Sequence, residues 1–463
     1  MRSVSVAIAA TLTLLASMTP AAADPAAGRD WIRSTTTTFT LDETADQARS
    51  GPEHATAGTD ADDVLRKVAA GDYDYISPSD CAASDEADEP GGWIKNRFAW
   101  CKRDYKTEST AKACDPQRPD VCVIHGKLRT TFTVIGYGEH TQDPDRPSRS
   151  ERYLGFGFHV TSMVPTGVFL NPEATYSLSM RCYTNGPPAD CSAPTANGAL
   201  RPVSHWQRDW TASVEFISQA QPPARQHGDQ FVHGEVTVLS LGQVPGYLGA
   251  EQAEHPATSI RFDSSWYNGT AKRGSIFYVP DPPGEARPHP FLTFSSAANS
   301  GYKEVADHLD QALNRPKETK PPFSDKQLPG KSMSNPLHRL VEKYDGDGGY
   351  SEKRVAANRY EAKAWGCDPY FPRWNEPRWP PDDPDGPDSR PAFECDEYPF
   401  ASTFEGAGRW KYPADEYGGA RYQNMFSARP VFWRDNKKAG EVLLAWYNWD
   451  RIAHKDAFFI RVR

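Results

Sequence analysis

The chain has 463 residues, 38% of them hydrophobic, and a formal net charge of −9 at pH 7. That length carries enough apolar side chains for two separate cores, which excludes a wholly disordered chain. The acidic balance argues against a broadly basic nucleic-acid-binding surface, because phosphates are held by lysine and arginine, and leaves only a local basic face open.

In chain order, Met1-Arg2, an apolar run from Val4 to Met18 and the small residues Ala21 to Ala23 read as a secretory signal peptide over residues 1–23. The run falls short of the roughly 20 residues that a bilayer span needs. No later segment is apolar for long enough to cross a membrane, so a secreted, extracellular protein is expected. Residues 24–126 are rich in small, polar and acidic side chains and read as a partly ordered entry segment, with a short helix at 61–70 and disulfides.

From 127 to 280 the pattern becomes short runs of β-branched and aromatic residues, at 128–137, 152–160, 174–183, 211–218, 230–241, 258–262 and 275–279. Alternation with a period of two and Gly, Pro and Asn turns between the runs predict a sandwich-like antiparallel β domain. The proline-dense stretch after Pro280 predicts a connector over 281–334, with a helix at 303–313 where Val305, Leu309 and Leu313 recur at helical spacing. The remainder, 335–463, reads as a small α+β domain. Its expected elements are helices at 335–344, 351–365 and 435–449, a proline-rich loop at 372–390, extended pieces at 393–401 and 422–433, and a terminal strand at 457–462. The fold class is therefore α+β, with a β-rich N-terminal domain before the smaller unit.

Eight cysteines in an exported chain, without CxxC pairs or zinc-like spacing, read as disulfides. Spacing alone does not determine the pairing. Pairing between neighbours is the expectation: Cys81 with Cys101, Cys114 with Cys122, Cys182 with Cys191, and Cys367 with Cys395.

The segment Cys395-Asp-Glu-Tyr-Pro-Phe-Ala-Ser-Thr-Phe-Glu405-Gly sets three carboxylates among aromatic residues. Acids in apolar surroundings can act as general bases or metal ligands. In an extended segment Asp396 and Glu397 face opposite ways, so only one of them serves a given site. An isolated Asp-Glu pair is, by base rate, an exposed turn feature. From Arg421 onward, nine basic residues stand against four acidic ones, which makes a local basic face possible.

Taken in order, Asp396-Glu-Tyr-Pro-Phe-Ala, Glu405-Gly, Arg434-Asp-Asn-Lys-Lys-Ala-Gly440 and a hydrophobic C-terminal strand resemble the NucA/NucB family of secreted bacterial deoxyribonucleases. The resemblance covers the last 70 to 130 residues, roughly, and its specificity lies in the ordered combination. It implies a reduced ββα-metal fold in which an aspartate replaces the histidine base, here Asp396. It further implies a divalent metal, Mg2+ or Mn2+, held from the last helix by Glu441, Asp435 and Asn436. Glu397 and Glu405 would support the site, and Arg421 would grip a phosphate of a DNA substrate. Helix capping is an equal reading for Asp435 and Asn436, and a solvent-facing helix acid competes for Glu441. Nothing points to a protein partner, so a monomer is expected. Two other functions remain open: a glycosidase using paired carboxylates, and a non-catalytic surface-binding protein with an inactive nuclease-like domain.

Overall fold

In the strand Arg152–Pro165 every second side chain from Arg152 to Val160 is buried, among them Leu154, Phe156 and Phe158. That period-two burial puts one face of the strand on a core and the other toward solvent. The computed structural model describes residues 33–40, 58–140, 152–184, 191–193, 198–219, 229–247, 250–268, 272–278, 290–332, 334–345, 347–376 and 392–463. The expected signal peptide lies outside these residues, as does most of the 372–390 loop.

The strands are β1 Arg33–Thr40, β2 Thr59–Asp60, β3 Trp93–Asn96, β4 Ala99–Asp115, β5 Arg118–Gly138, β6 Arg152–Pro165, β7 Thr175–Thr184, β8 Gly198–Pro202 and β9 Thr211–Ser218. They continue as β10 Gln230–Gln243, β11 Ala250–Glu251, β12 Ala253–Ser264, β13 Arg273–Phe277, β14 Phe291–Phe294, β15 Leu337–His338, β16 Phe393–Tyr398, β17 Ser427–Phe432 and β18 Ala457–Val462. The helices are α1 Ala61–Ala70, α2 Pro78–Ala83, α3 Val203–Trp206, α4 Lys303–Asn314, α5 Tyr350–Glu361, α6 Asp368–Tyr370 and α7 Trp433–Trp449.

One sheet runs β11-β1-β4-β5-β6-β9 with β3 beside β4, and a second runs β13-β12-β10-β7-β8. Phe132, Leu154, Phe156 and Phe158 from the first meet Tyr176, Val236, Val238 and Phe262 from the second in one core. The expected entry segment is thus a correction: β4 is the long central strand of the first sheet. Its middle stretch is polar because several of its buried side chains, Thr107, Glu108, Ser109 and Thr110, are polar. Thr107 bonds the Tyr176 hydroxyl at 3.0 Å, and Ser109 bonds Thr38 at 2.8 Å.

A second core lies under the sheet β15-β18-β14-β2, in which β14 runs parallel to both β18 and β2. It is built from Leu292, Phe294, Val305, Leu309, Val442, Trp446, Phe458 and Ile460, closed by Ala61 and Val64 of α1. The 281–334 stretch expected as a connector therefore supplies β14 and α4 to this core. Residues 335–344, expected as a helix, are not helical. Their backbone donors are used elsewhere: His338 N–H to Glu405, Arg339 N–H to Asp456, and Leu340 N–H to Ser402. Tertiary bonding here overrides local helix propensity.

The two cores meet at buried charges. Arg261 of β12 donates to both carboxylate oxygens of Asp456 at 2.8 Å and to the Arg451 carbonyl at 2.7 Å. Arg451 in turn donates to Asp263 of β12 at 2.8 Å. Burial pushes the Asp456 carboxyl up, but Arg261 and Arg97 outweigh it and hold the group below its usual value. The four disulfides pair neighbouring cysteines as expected, which fits an oxidising environment. Among the described residues, no helix is long and apolar enough to cross a membrane.

Candidate active site

β16 and β17 form a two-stranded antiparallel ribbon, and α7 follows β17 directly. Alternation along β16 divides its side chains between two faces. Glu394, Asp396 and Tyr398 face α4 and α7, where Asp396 meets His308, Glu394 meets Asn436 and Tyr398 joins the second core. Cys395 faces the other way and is bonded to Cys367 in the π-helical turn Ala362–Cys367. Glu397 shares that second face. Cross-strand register sets Arg429 directly opposite Asp396, and opposed residues in a ribbon share a face.

Asp396 ends a buried chain of hydrogen bonds. His308 Nδ1 lies 2.6 Å from Asp396 Oδ2, and His308 Nε2 lies 2.6 Å from Ser427 Oγ. A carboxylate only accepts, so Nδ1–H donates to Asp396 and Nε2 accepts the Ser427 hydroxyl. Asp396 keeps 6% of its surface exposed, whereas His308 and Ser427 each keep 1%. Asp396 is thus the least buried of the three, and a serine nucleophile at Ser427 has no access to a substrate. No hydrogen bond from a described residue reaches Asp396 Oδ1.

Glu397 is partly exposed on the opposite face. Burial of its carboxyl, reinforced by the neighbouring Asp396 charge, pushes it up to about 8 against the opposing pull of Arg359 and the Ala401 N–H. Glu405 is buried and engaged with β15, accepting from His338 Nδ1 at 2.7 Å and from His338 N–H at 2.9 Å. It holds the loop after β16. Arg421 lies in the short turn Ala420–Tyr422, where it donates to the Tyr422 hydroxyl at 2.7 Å and stacks on that ring.

The three expected metal ligands do not converge. Asp435 accepts from the Glu304 N–H at 2.8 Å, while Glu304 accepts from the Phe432 N–H at 2.6 Å, so each acid caps the start of the other's helix. Glu441 is 51% exposed and lies 3.9 Å from Lys437 along its own helix. Asn436 donates to Glu394 at 2.8 Å. Among the described residues, no three His, Cys, Asp or Glu side chains gather around a point where a metal could sit. Magnesium-like ions do not need such a cage, since they keep water and take one or two protein oxygens plus substrate phosphate. Glu394 and the Asn436 amide oxygen, on the Asp396 face of the ribbon, offer that kind of donor set.

His308, Ser427, Arg429 and Glu394 were not singled out from sequence. One signal was present for His308, which falls on the apolar stripe of α4 beside Val305, Leu309 and Ala312, where a polar ring needs a buried partner. Ser427 and Arg429 are recognisable only once the register of β17 is known. Comparisons with protein-family descriptions, curated proteins and solved structures each return no match to this chain.

Proposed function

We propose that the chain is a secreted, metal-dependent endonuclease that hydrolyses DNA phosphodiesters, with Asp396 as the general base. The observation that carries this reading is the Asp396 carboxylate. One of its oxygens is fixed by His308, which Ser427 holds in turn, the other has no hydrogen bond among the described residues, and Arg429 stands across the ribbon on the same face. The strand, strand, helix order of β16, β17 and α7 supports the resemblance to a reduced ββα-metal nuclease.

In this mechanism Asp396 Oδ1 takes a proton from water as the water oxygen bonds to phosphorus. The P–O bond to the sugar breaks, and the leaving oxygen is protonated from solvent. His308 and Ser427 hold the base in one rotamer through the step, and Arg429 supplies paired donors to the phosphate oxygens. Glu394 and Asn436 would hold Mg2+ or Mn2+, which when bound neutralises charge developing on the phosphate. Asp435 acts in this scheme through helix capping, and Glu405 through holding the loop.

The glycosidase alternative needs two carboxyls flanking one bond. Asp396 and Glu397 point to opposite faces of β16, which disfavours that pair. A plasmid-nicking assay decides between the readings. The wild-type protein should convert supercoiled plasmid to open circle with magnesium or manganese, EDTA should stop it, and Asp396→Asn should lose at least about 100-fold, the usual contribution of a general base. Full activity in Asp396→Asn would refute the assignment, and wild-type binding without nicking would favour the non-catalytic reading.

A further inference from the structure

α5 runs into the π-helical turn Ala362–Cys367 and then α6 without leaving helical geometry. A π turn inserted in a helix is costly and recurs at functional positions. Here it does two things. It brings Gly366 so close to β17 that a Cβ at that position would lie 2.3 Å from the Ala428 Cβ. It also presents large aromatic rings to solvent, with Tyr360 63% exposed, Trp365 57% and Tyr370 39%.

Lysines sit over the rings of this face. Lys320 Nζ lies 5.4 Å from the Tyr370 centroid, Lys363 Nζ lies 5.9 Å from that of Trp374, and Lys411 Nζ lies 5.3 Å from that of Tyr360. Two acids of this segment have partners. Glu361 is buried beneath Lys411, and Asp368 accepts the Trp374 indole N–H at 2.9 Å. Among the described residues, neither Lys320 nor Lys363 has a carboxylate within ion-pair distance. On a chain of net charge −9, exposed rings with these two lysines over Tyr370 and Trp374 give this segment a definite chemistry. The π turn packs on the ribbon face opposite Asp396 and reaches the edge of β17 away from β16, where the Lys320 carbonyl accepts the N–H of Ala428, the residue between Ser427 and Arg429.

We infer that this face is a track for single-stranded nucleic acid, whose unpaired bases stack on Tyr360, Trp365 and Tyr370 while Lys320 and Lys363 hold the phosphates. Every base has a flat face, so ring stacking is tolerant of sequence, and lysines beside the rings follow the backbone. A duplex keeps its bases stacked internally and gains only the lysine contacts. The inference deepens the nuclease reading and rests on it for its purpose: a strand held here has to pass round the edge of β17 to reach Arg429 and Asp396 on the opposite face.

The test is fluorescence anisotropy of a labelled 20-nucleotide oligothymidylate and of a 20-base-pair duplex, with the full-length protein in EDTA so that neither is cut. The single strand should bind more tightly than the duplex. Tyr360→Ala, Trp365→Ala and Tyr370→Ala should each weaken single-strand binding by roughly tenfold while leaving duplex binding nearly unchanged. Lys320→Gln with Lys363→Gln should reduce the slope of log affinity against log salt by about 0.7 for each lysine. These side chains are at the surface, and unchanged circular dichroism will show that the variants fold. No single-strand binding by the wild type, equal binding by the ring variants, or retention of a glycan in place of the oligonucleotide would overturn the track. Plasmid nicking by the same protein preparations, with magnesium or manganese in place of EDTA, separates the two readings: nicking without single-strand binding sinks the track alone, and binding without nicking sinks the nuclease alone.

Discussion

Glu397 stands back to back with Asp396 across β16, and its carboxyl is raised from 4.5 to about 8, first by burial and then by the Asp396 charge. A folded-state value above the unfolded one means that the folded chain holds the proton more tightly. The favourable contribution is complete below about 4.5 and is lost as pH climbs through about 8. At about 1.4 kcal/mol per pH unit the full separation corresponds to about 5 kcal/mol. Glu397 keeps some contact with solvent, which screens part of this, so about 2 to 3 kcal/mol is the reasonable expectation. Glu397→Gln preserves shape and hydrogen-bonding capacity but cannot ionise. Urea unfolding at pH 4 and pH 9 should give nearly equal stabilities at the lower pH and a gain of about 2 to 3 kcal/mol for the variant at the higher one. Asp229, pushed up to about 6 by burial, and Lys326, pulled down to about 7 by burial, also titrate in this window. Both are common to the two proteins and cancel in the difference. A Gln variant no more stable than wild type at pH 9 would refute the claim that a desolvated acid sits on that face.

His308→Ala removes both 2.6 Å bonds and leaves Asp396 Oδ2 and Ser427 without partners, so stability should fall by about 3 kcal/mol and nicking by about 100-fold at a temperature where circular dichroism shows the variant folded. A folded variant with wild-type nicking would reduce His308 to a packing residue. Asp456→Asn removes the carboxylate that takes two bonds from Arg261 and leaves Asp263, 3.5 Å away, as the remaining counter-charge of the buried guanidinium; it should lower the urea-unfolding free energy by about 3 kcal/mol, and a loss below about 1 kcal/mol would mean that Asp263 alone suffices.

Elements with one clear periodicity were legible in the sequence. The buried side of α7, Ala439, Val442, Leu443, Trp446 and Tyr447, is the stripe expected from spacing, and β18 covers the expected 457–462. Strands β6, β9 and β10 likewise announced themselves by alternation. β4 did not, because Thr107, Glu108, Ser109 and Thr110 are buried through specific partners on β1, β5 and β7 and carry no apolar signal. Residues 335–344 carried a helical signal that tertiary bonding cancelled. At the site, the opposite orientations of Asp396 and Glu397 followed from strand geometry alone. The capping of α4 by Asp435 did not, since it depends on two helices 131 residues apart in the chain coming together.

The partners of Asp396 arrive from segments that sequence reading had separated. His308 comes from α4 in the expected connector, Ser427 and Arg429 from β17, and the floor beneath them from β14, β18 and α1. β2 and α1 precede most of the β-rich domain, whereas β14 and α4 follow it, so strands β3 to β13 form an insertion between two parts of the second core. Five side chains of α4 alone, Val305, Ala306, Leu309, Ala312 and Leu313, are buried there. At about 1.5 to 3 kcal/mol for each large apolar side chain, Val305, Leu309 and Leu313 together contribute about 4.5 to 9 kcal/mol of burial before chain entropy is set against it. The unit that positions Asp396 is accordingly residues 58–70 together with 290–463, and the Arg261–Asp456 and Arg451–Asp263 contacts tie that unit to the β-rich domain. On this physical basis the β-rich domain shares the folding of the site and is more than a tether to it.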